Sequence, residues 1–226
     1  MNTLMTPKVA NLLNQLHQEA DEQMPSVLAA VNEIRSEQTT PEEWTSDWAE
    51  RMSDFYLSAS REQGRFLYQT VRATKAQYVV EFGTSFGIST IYIAAALHDN
   101  HGGKLVSAEL IESKAAKPKK HIHSTGLGDY VDIRIGDALE TLTDPERPID
   151  LLYLDGGPTL YPNVLKLLQP HLCEGALVIA DNVPTTKEET SPYAEYVRNP
   201  TNGYISTSLE MKGGTEYSLW TGVDQN

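Results

Sequence analysis

The 226-residue chain has one cysteine, no long apolar run and far fewer bases than acids, and each shortage excludes something. With Cys173 alone, neither an intrachain disulfide framework nor a CxxC redox or zinc motif can form, which suits a reducing cytosol. The longest apolar run, Ile91 to Leu97, is too short to cross a bilayer, and the polar start MNTLMTPK has no signal-peptide core. Eighteen bases against 31 acids leave a net charge of −13, so neither nucleic acid nor an anionic membrane is expected as a partner. Residues 1–70 alone hold 11 of the acids and 5 of the bases. No internal repeat or low-complexity linker interrupts the chain. These shortages predict a soluble, acidic, cytoplasmic protein, folded as one structural domain with an N-terminal appendage.

What is present comes in two textures. Residues 8–70 carry apolar residues at helical spacing (Val9, Leu12, Leu13, Leu16; then Val27, Leu28, Val31, Ile34), and Pro25 and Pro41 are expected to break them into about three helices. Thr40-Pro41-Glu42-Glu43 reads as a helix start, with a cap, a first-turn proline and acids. From residue 76, β-branched runs at Tyr78–Val80, Lys104–Val106, Val131–Ile135, Ile149–Leu154 and Ala176–Ala180 alternate with helical stretches. Such alternation predicts an α/β fold with a mostly parallel sheet. Two late runs, Tyr204–Leu209 and Glu216–Thr221, joined through Lys212-Gly213-Gly214, predict an antiparallel hairpin at one sheet edge.

The first strand runs into Glu81-Phe82-Gly83-Thr84-Ser85-Phe86-Gly87-Ile88-Ser89-Thr90. Gly83 and Gly87 permit a tight turn and close approach of a ligand, while Ser85, Ser89 and the free amides of the next helix can hold an anion. The spacing is E-x-G-x-x-x-G, not the G-x-G-x-x-G of dinucleotide enzymes; a plain strand-to-helix turn is the alternative. Glu109 ends the next strand, placed either to hold two ribose hydroxyls or simply as a solvated carboxylate. Asp137, after the third strand, fits an adenine contact and equally a helix N-cap with Glu140 as the reciprocal acid.

The fourth and fifth strands end in Asp155-Gly156-Gly157 and Asp181-Asn182. Two carboxylates and an amide oxygen at neighbouring strand ends suit Mg²⁺, which keeps open positions for water and substrate, although Asx residues also end strands as turn formers. In order behind the glycine loop and Glu109, these residues resemble the class I S-adenosylmethionine-dependent methyltransferases. The likeness is to the small cation-dependent O-methyltransferases, such as the catechol and caffeoyl-CoA enzymes. The matching segments are VVEFGTSFGIST, LVSAEL, IRIGDALETL, IDLLYLDGGPTLYPNVLKLLQPHLCEGALVIADNV and GGTEYSLW, with Glu62-Gln63-Gly64-Arg65-Phe66-Leu67 ahead of the first strand.

The resemblance implies a Rossmann-like methyltransferase fold: a seven-stranded, mostly parallel sheet with an antiparallel last strand, over residues 71–226, capped by a helical lid over residues 1–70. It implies that Glu81, Gly83, Ser85, Gly87 and Ser89 line the cofactor, with Glu109 on its ribose, Asp137 near its adenine and Asp155 close by. Asp155, Asp181 and Asn182 would bind Mg²⁺ or another divalent cation, and Asp155 and Glu216 would act in catalysis, Glu216 on a substrate hydroxyl. The activity implied is methyl transfer to a hydroxyl of a small aromatic or vicinal-diol acceptor, by an enzyme that is often a homodimer.

One position departs from the pattern. Three residues after the first metal aspartate the catechol-type enzymes carry a lysine base, and here stands Pro158. Either the metal alone favours the oxyanion, or another residue supplies the base, or the acceptor is no catechol. Tyr161, His121 and His123 are weak substitutes, and both histidines are expected at the surface. The run Lys114, Lys117, Lys119 and Lys120 reads as a solvated helix end, Trp44, Trp48, Phe55 and Tyr56 as core or lid, and Cys173 as structural. A nicotinamide-dependent oxidoreductase and a non-catalytic S-adenosylmethionine-binding protein are the rival readings.

Overall fold

A computed structural model describes residues 2–37, 46–183 and 191–222. The chain opens with a long helix α1 (Pro7–Glu37), followed by α2 (Ser46–Arg51) and α3 (Arg61–Thr74). Then β1 (Tyr78–Phe82), α4 (Ile88–Asp99), β2 (Lys104–Glu109), α5 (Glu112–Thr125), β3 (Val131–Ile135), α6 (Ala138–Thr141), β4 (Ile149–Leu154), α7 (Tyr161–Leu168) and β5 (Leu172–Asp181) alternate. Helix α8 (Pro192–Arg198) leads into the hairpin β6 (Tyr204–Leu209) and β7 (Thr215–Trp220). The strands form one seven-stranded sheet in the order β3-β2-β1-β4-β5-β7-β6. β1 to β5 pair in parallel, and β7 runs antiparallel to both β5 and β6.

Strand alternation sorts side chains to two faces. Val80, Leu152, Leu154, Val178 and Ala180 pack against Tyr161, Leu165 and Leu168 of α7 and Tyr193 and Val197 of α8. Val79, Leu105, Leu151, Leu177 and Ile179 pack against Leu67 and Val71 of α3 and Ile93 and Leu97 of α4. β1 is buried on both faces and α4 over nearly its whole surface, the texture expected at the centre of a doubly covered sheet.

Two expectations are corrected. Pro25 lies inside α1, which runs unbroken from Pro7 to Glu37. A helical proline removes one hydrogen bond, but the segments on either side are docked separately. Val9, Leu13, Leu16 and Ala20 pack on Phe86, Ile88 and Ile91, and Val27 and Ile34 pack with Met52. The lysine run is likewise no helix end: α5 continues through Pro118, and Lys114 is only 8% exposed. The expected helix start at Thr40 and the aromatic Trp44 lie outside the described residues. Trp48 and Phe55 pack beside Met52, while Tyr56 lies 4.3 Å, ring to ring, from Phe86 and donates to Glu19 of α1.

Candidate active site

The glycine loop leaves β1 beneath the C-terminal ends of its neighbours. Gly83 (φ 104°) and Thr84 both donate from their amides to the Ala108 carbonyl of β2, at 3.2 and 3.1 Å. Asp155 donates to the Phe82 carbonyl at 2.9 Å, drawing the β4 end against the loop. The approach is so close that a Cβ on Gly83 would sit 2.6 Å from the Asp155 carbonyl oxygen. Only glycine satisfies that contact and the positive φ together. Gly87 is left-handed and starts α4, beside Pro118.

Behind the loop lies a buried carboxylate. Glu81 is fully buried and accepts from Ser89 (2.5 Å), Thr90 (2.7 Å) and Ser107 (2.6 Å). Burial pushes its carboxyl up to about 7 against the pull of those three hydroxyls, with the Glu109 charge adding to the rise. Thus Glu81 and Ser89 are spent on one another and shape the loop from below. Glu109 is nearly buried, accepting from the Ser85 amide (2.8 Å) and the Ile111 amide (3.1 Å), so it is not the solvated strand-end acid. Burial raises its carboxyl despite Lys114 and those two amides. The Ser85 hydroxyl is buried and has no hydrogen-bond partner, at a non-glycine residue held at φ 48°. An orphaned hydroxyl and positive φ in a ligand loop fit a small polar molecule that completes the site.

The other expected residues divide. Asp137 caps α6, its carboxylate accepting from the Leu139 amide at 2.8 Å, so the capping alternative holds as geometry. It remains exposed, one residue beyond the Gly136 amide, which donates to the Glu109 carbonyl at 2.9 Å. Asp155 and Asp181 follow directly on the paired residues Leu154 and Ala180, which sets them side by side. Burial and the Asp181 charge push the Asp155 carboxyl well above the carboxylate range; Asp181 is raised as well, chiefly by burial. Gln63 of α3 donates to Asp181 Oδ1, and Thr215 donates to the same oxygen at 3.3 Å. Asn182 is exposed in a left-handed conformation, its Oδ1 facing Gly213.

Glu216 does not join this group. It pairs with Ala180, the neighbour of Asp181, and so takes the opposite face of the sheet. There it accepts from Arg198 (2.8 Å), Ser206 (2.5 Å) and Ser208 (2.7 Å), which outweigh burial and lower its carboxyl. A short sequence match cannot register side-chain parity, and one residue decides the face.

Two of the substitutes considered for a lysine at Pro158, Tyr161 and His121, are bonded elsewhere. Tyr161 is buried and donates to the Asp181 and Gly156 carbonyls at 3.0 and 3.3 Å, and burial drives its hydroxyl far above the ordinary phenol range. His121 is half-buried with Nδ1 3.0 Å from the Phe86 carbonyl, which corrects its surface assignment, while His123 is exposed. Cys173 lies 3.7 Å from Asp150, and burial and that charge raise its thiol.

The sequence did not single out the roles of Gln63, Lys114 and Lys117. Gln63 bonds Asp181, the Lys212 carbonyl (3.0 Å) and, through Oε1, the Ser60 amide (2.7 Å) that starts α3. Ser60 followed three residues on by Gln63 is a capping-box signal that was available. Lys114 and Lys117 lie 4.9 and 4.8 Å from the centre of the Phe86 ring, a tertiary arrangement with no local signal.

A glycine loop at the switch between β1 and β4, with a carboxylate at the end of β2, defines a nucleoside-type cofactor site in an α/β sheet. A methyltransferase-domain profile matches residues 80–183. The chain is 34% identical over 180 residues to a catechol O-methyltransferase of Niastella koreensis, covering 71% of this chain and 79% of that one. It is 30% identical over 128 residues to a catechol O-methyltransferase of Mycobacterium tuberculosis, covering 56% and 57% respectively. Among solved structures, the O-methyltransferase of Streptomyces achromogenes involved in tomaymycin synthesis, in complex with S-adenosylmethionine, superposes with a TM-score of 0.65 at 26% identity, covering 85% of this chain and 96% of that chain. The chain belongs to the class I S-adenosylmethionine-dependent O-methyltransferases.

Proposed function

We propose that the protein transfers the methyl group of S-adenosylmethionine to a hydroxyl of a small aromatic or vicinal-diol acceptor, assisted by Mg²⁺ or another divalent cation. The observation that carries this is the Asp155–Asp181 pair: two adjacent carboxylates, both raised chiefly by burial, Asp155 further by the Asp181 charge, and both offset by Lys212. Such a pair is stabilised by a divalent cation. Among the described residues no third histidine, cysteine or acid joins them, so the donor set would be Asp155, Asp181 and the Asn182 amide oxygen. A hard oxygen set with open positions suits Mg²⁺ better than zinc.

When bound, S-adenosylmethionine supplies the electrophilic methyl, and the cation supplies positive charge that favours the acceptor's oxyanion. Glu109 would hold the ribose through its remaining lone pairs. The Ser85 hydroxyl, Gly83 and Gly87 would border the methionine end. Asp137 would stand near the adenine. Gln63 and Thr215 hold Asp181 in place, and the close Gly83–Asp155 contact fixes the cofactor loop against the carboxylate pair. Catalysis would then be chiefly positioning and charge stabilisation. Residues 1–70 would act as the lid, since α1 packs directly on the loop residue Phe86. We further infer a cytoplasmic homodimer with no nucleic-acid or membrane partner. Among the described residues no helix is long and apolar enough to cross a membrane.

The test is methyl transfer from labelled S-adenosylmethionine to a panel of catechols, with Mg²⁺ and with chelator. Activity that depends on the cation and disappears in Asp181→Ala is the expected result; unchanged transfer after both treatments refutes the metal role.

A further inference from the structure

In a chain with a net charge of −13, one lysine, Lys212, acts on the carboxylate pair. The β6–β7 turn brings Lys212 there by main-chain attachments. Gln63 donates to the Lys212 carbonyl at 3.0 Å, the Val183 amide to the Gly214 carbonyl at 3.1 Å, and the Gly214 amide closes the turn on Met211 at 2.8 Å. The Lys212 side chain is exposed and has no ion-pair partner among the described residues. Its charge reaches Asp155 and Asp181, and also the buried His17 of α1.

His17 lies in the field of Arg61 and Arg65 too, with Asp21 the opposing acid. Tyr92, whose hydroxyl is 3.2 Å from His17 Nε2, feels the same two arginines. Arg61 and Arg65 are exposed and one turn apart on α3, and Arg61 is tied to α1 through Asn14 at 2.9 Å. Burial and these cations lower His17 to about 4, so it is neutral and the positive charge belongs to the three side chains. Neither arginine has an ion-pair partner among the described residues.

We propose that Lys212, with Arg65 and Arg61 behind it, selects an acceptor that carries a carboxylate as well as its hydroxyls. This rests on the O-methyl-transfer reading of the Asp155–Asp181 site. With the divalent cation of the transfer reading bound, vicinal hydroxyls would be drawn to it at the aspartates, whereas Lys212 on the exposed turn attracts a carboxylate. A molecule with a hydroxyl end and a carboxylate end is therefore sorted, hydroxyls toward the aspartates and carboxylate outward to the ammonium. Lys212 would be a specificity residue that orients the acceptor.

The experiment compares binding of 3,4-dihydroxybenzoate and its methyl ester, by calorimetry, to the full chain saturated with S-adenosylhomocysteine and Mg²⁺. The expected result is a preference for the acid on the order of tenfold at low ionic strength, shrinking as salt screens the charge. Lys212→Met removes most of the preference and Lys212→Arg keeps it. Lys166→Met, the same charge loss on the exposed side of α7, leaves it intact. Equal or tighter binding of the ester, no binding of the acid, or a preference that survives Lys212→Met overturns the proposal. Turnover is read separately: neutral catechols methylated without any acid preference refute the specificity alone, whereas acid bound in a Lys212-dependent way but never methylated refutes the transfer reading alone.

Discussion

Replacing Gly83 by alanine tests whether the cofactor loop and the carboxylate pair are one mechanical unit. The substitution has two separable costs. A non-glycine residue at φ 104° is strained by about 1–3 kcal/mol. The new Cβ would also sit 2.6 Å from the Asp155 carbonyl oxygen, 2.7 Å from its carbon and 2.8 Å from the Gly156 nitrogen. All three are backbone atoms of a strand end, so no rotamer relieves the overlap, and overpacking of this kind adds about 1–3 kcal/mol. Gly175 provides the control: its φ is 84°, and a Cβ there meets nothing within 4 Å. Gly175→Ala should therefore show the strain alone. In urea titrations Gly83→Ala should lose roughly 1–3 kcal/mol more than Gly175→Ala. Calorimetry should also show weakened S-adenosylmethionine binding in Gly83→Ala and not in Gly175→Ala. Equal losses in the two variants, or unchanged cofactor affinity in Gly83→Ala, would refute a rigid contact between loop and strand end.

Glu81 gives a pH signature. Its carboxyl moves from 4.5 to about 7 on folding, so between those values the native state holds a proton the unfolded chain has released, and stability falls as pH rises through the window. Glu81→Gln removes that slope, and the stability difference between the variant and wild type should move by roughly 3 kcal/mol in the variant's favour from pH 4.5 to above 7; parallel pH profiles would contradict it. Mg²⁺ at a hundredfold excess over its dissociation constant should raise unfolding free energy by about 2.7 kcal/mol in wild type. Asp155→Asn with Asp181→Asn should show no such gain, yet be the more stable protein at pH 8 without metal, because the buried repulsion is gone. Asp99 works in the opposite sense to Glu81. Burial alone would raise it, but bonds from Thr3, Tyr68 and His98 lower it to about 2, so its contribution is complete above 3.8 and is lost as pH falls through 2. Asp99→Ala should cost about 2–4 kcal/mol and speed amide exchange at the start of α1.

Much of this architecture was legible because the signals are local. Strand alternation, the glycines of the loop and the turn at Gly213-Gly214 express backbone preference and burial pattern, and all seven strands formed where those patterns placed them. Pro25 misled because its local cost is real, but packing on both sides of it outweighs that cost. Glu216 was misplaced because a motif fixes a residue's position along a strand and leaves its face to register. Gln63 was half visible, since its capping box is local and its bonds to Asp181 and Lys212 span more than a hundred residues.

The sequence by itself determined the sheet, the loop and the identity of the acids at the strand ends, because each follows from periodicity, glycine geometry and charge within a few residues. Only the tertiary structure decided which acids work together. Parallel pairing sets Asp155 beside Asp181, the sheet's two faces separate Glu216 from them, and the hairpin carries Lys212 to the rim. Electrostatic interaction depends on distance and burial, and neither is a property of the chain until it is folded.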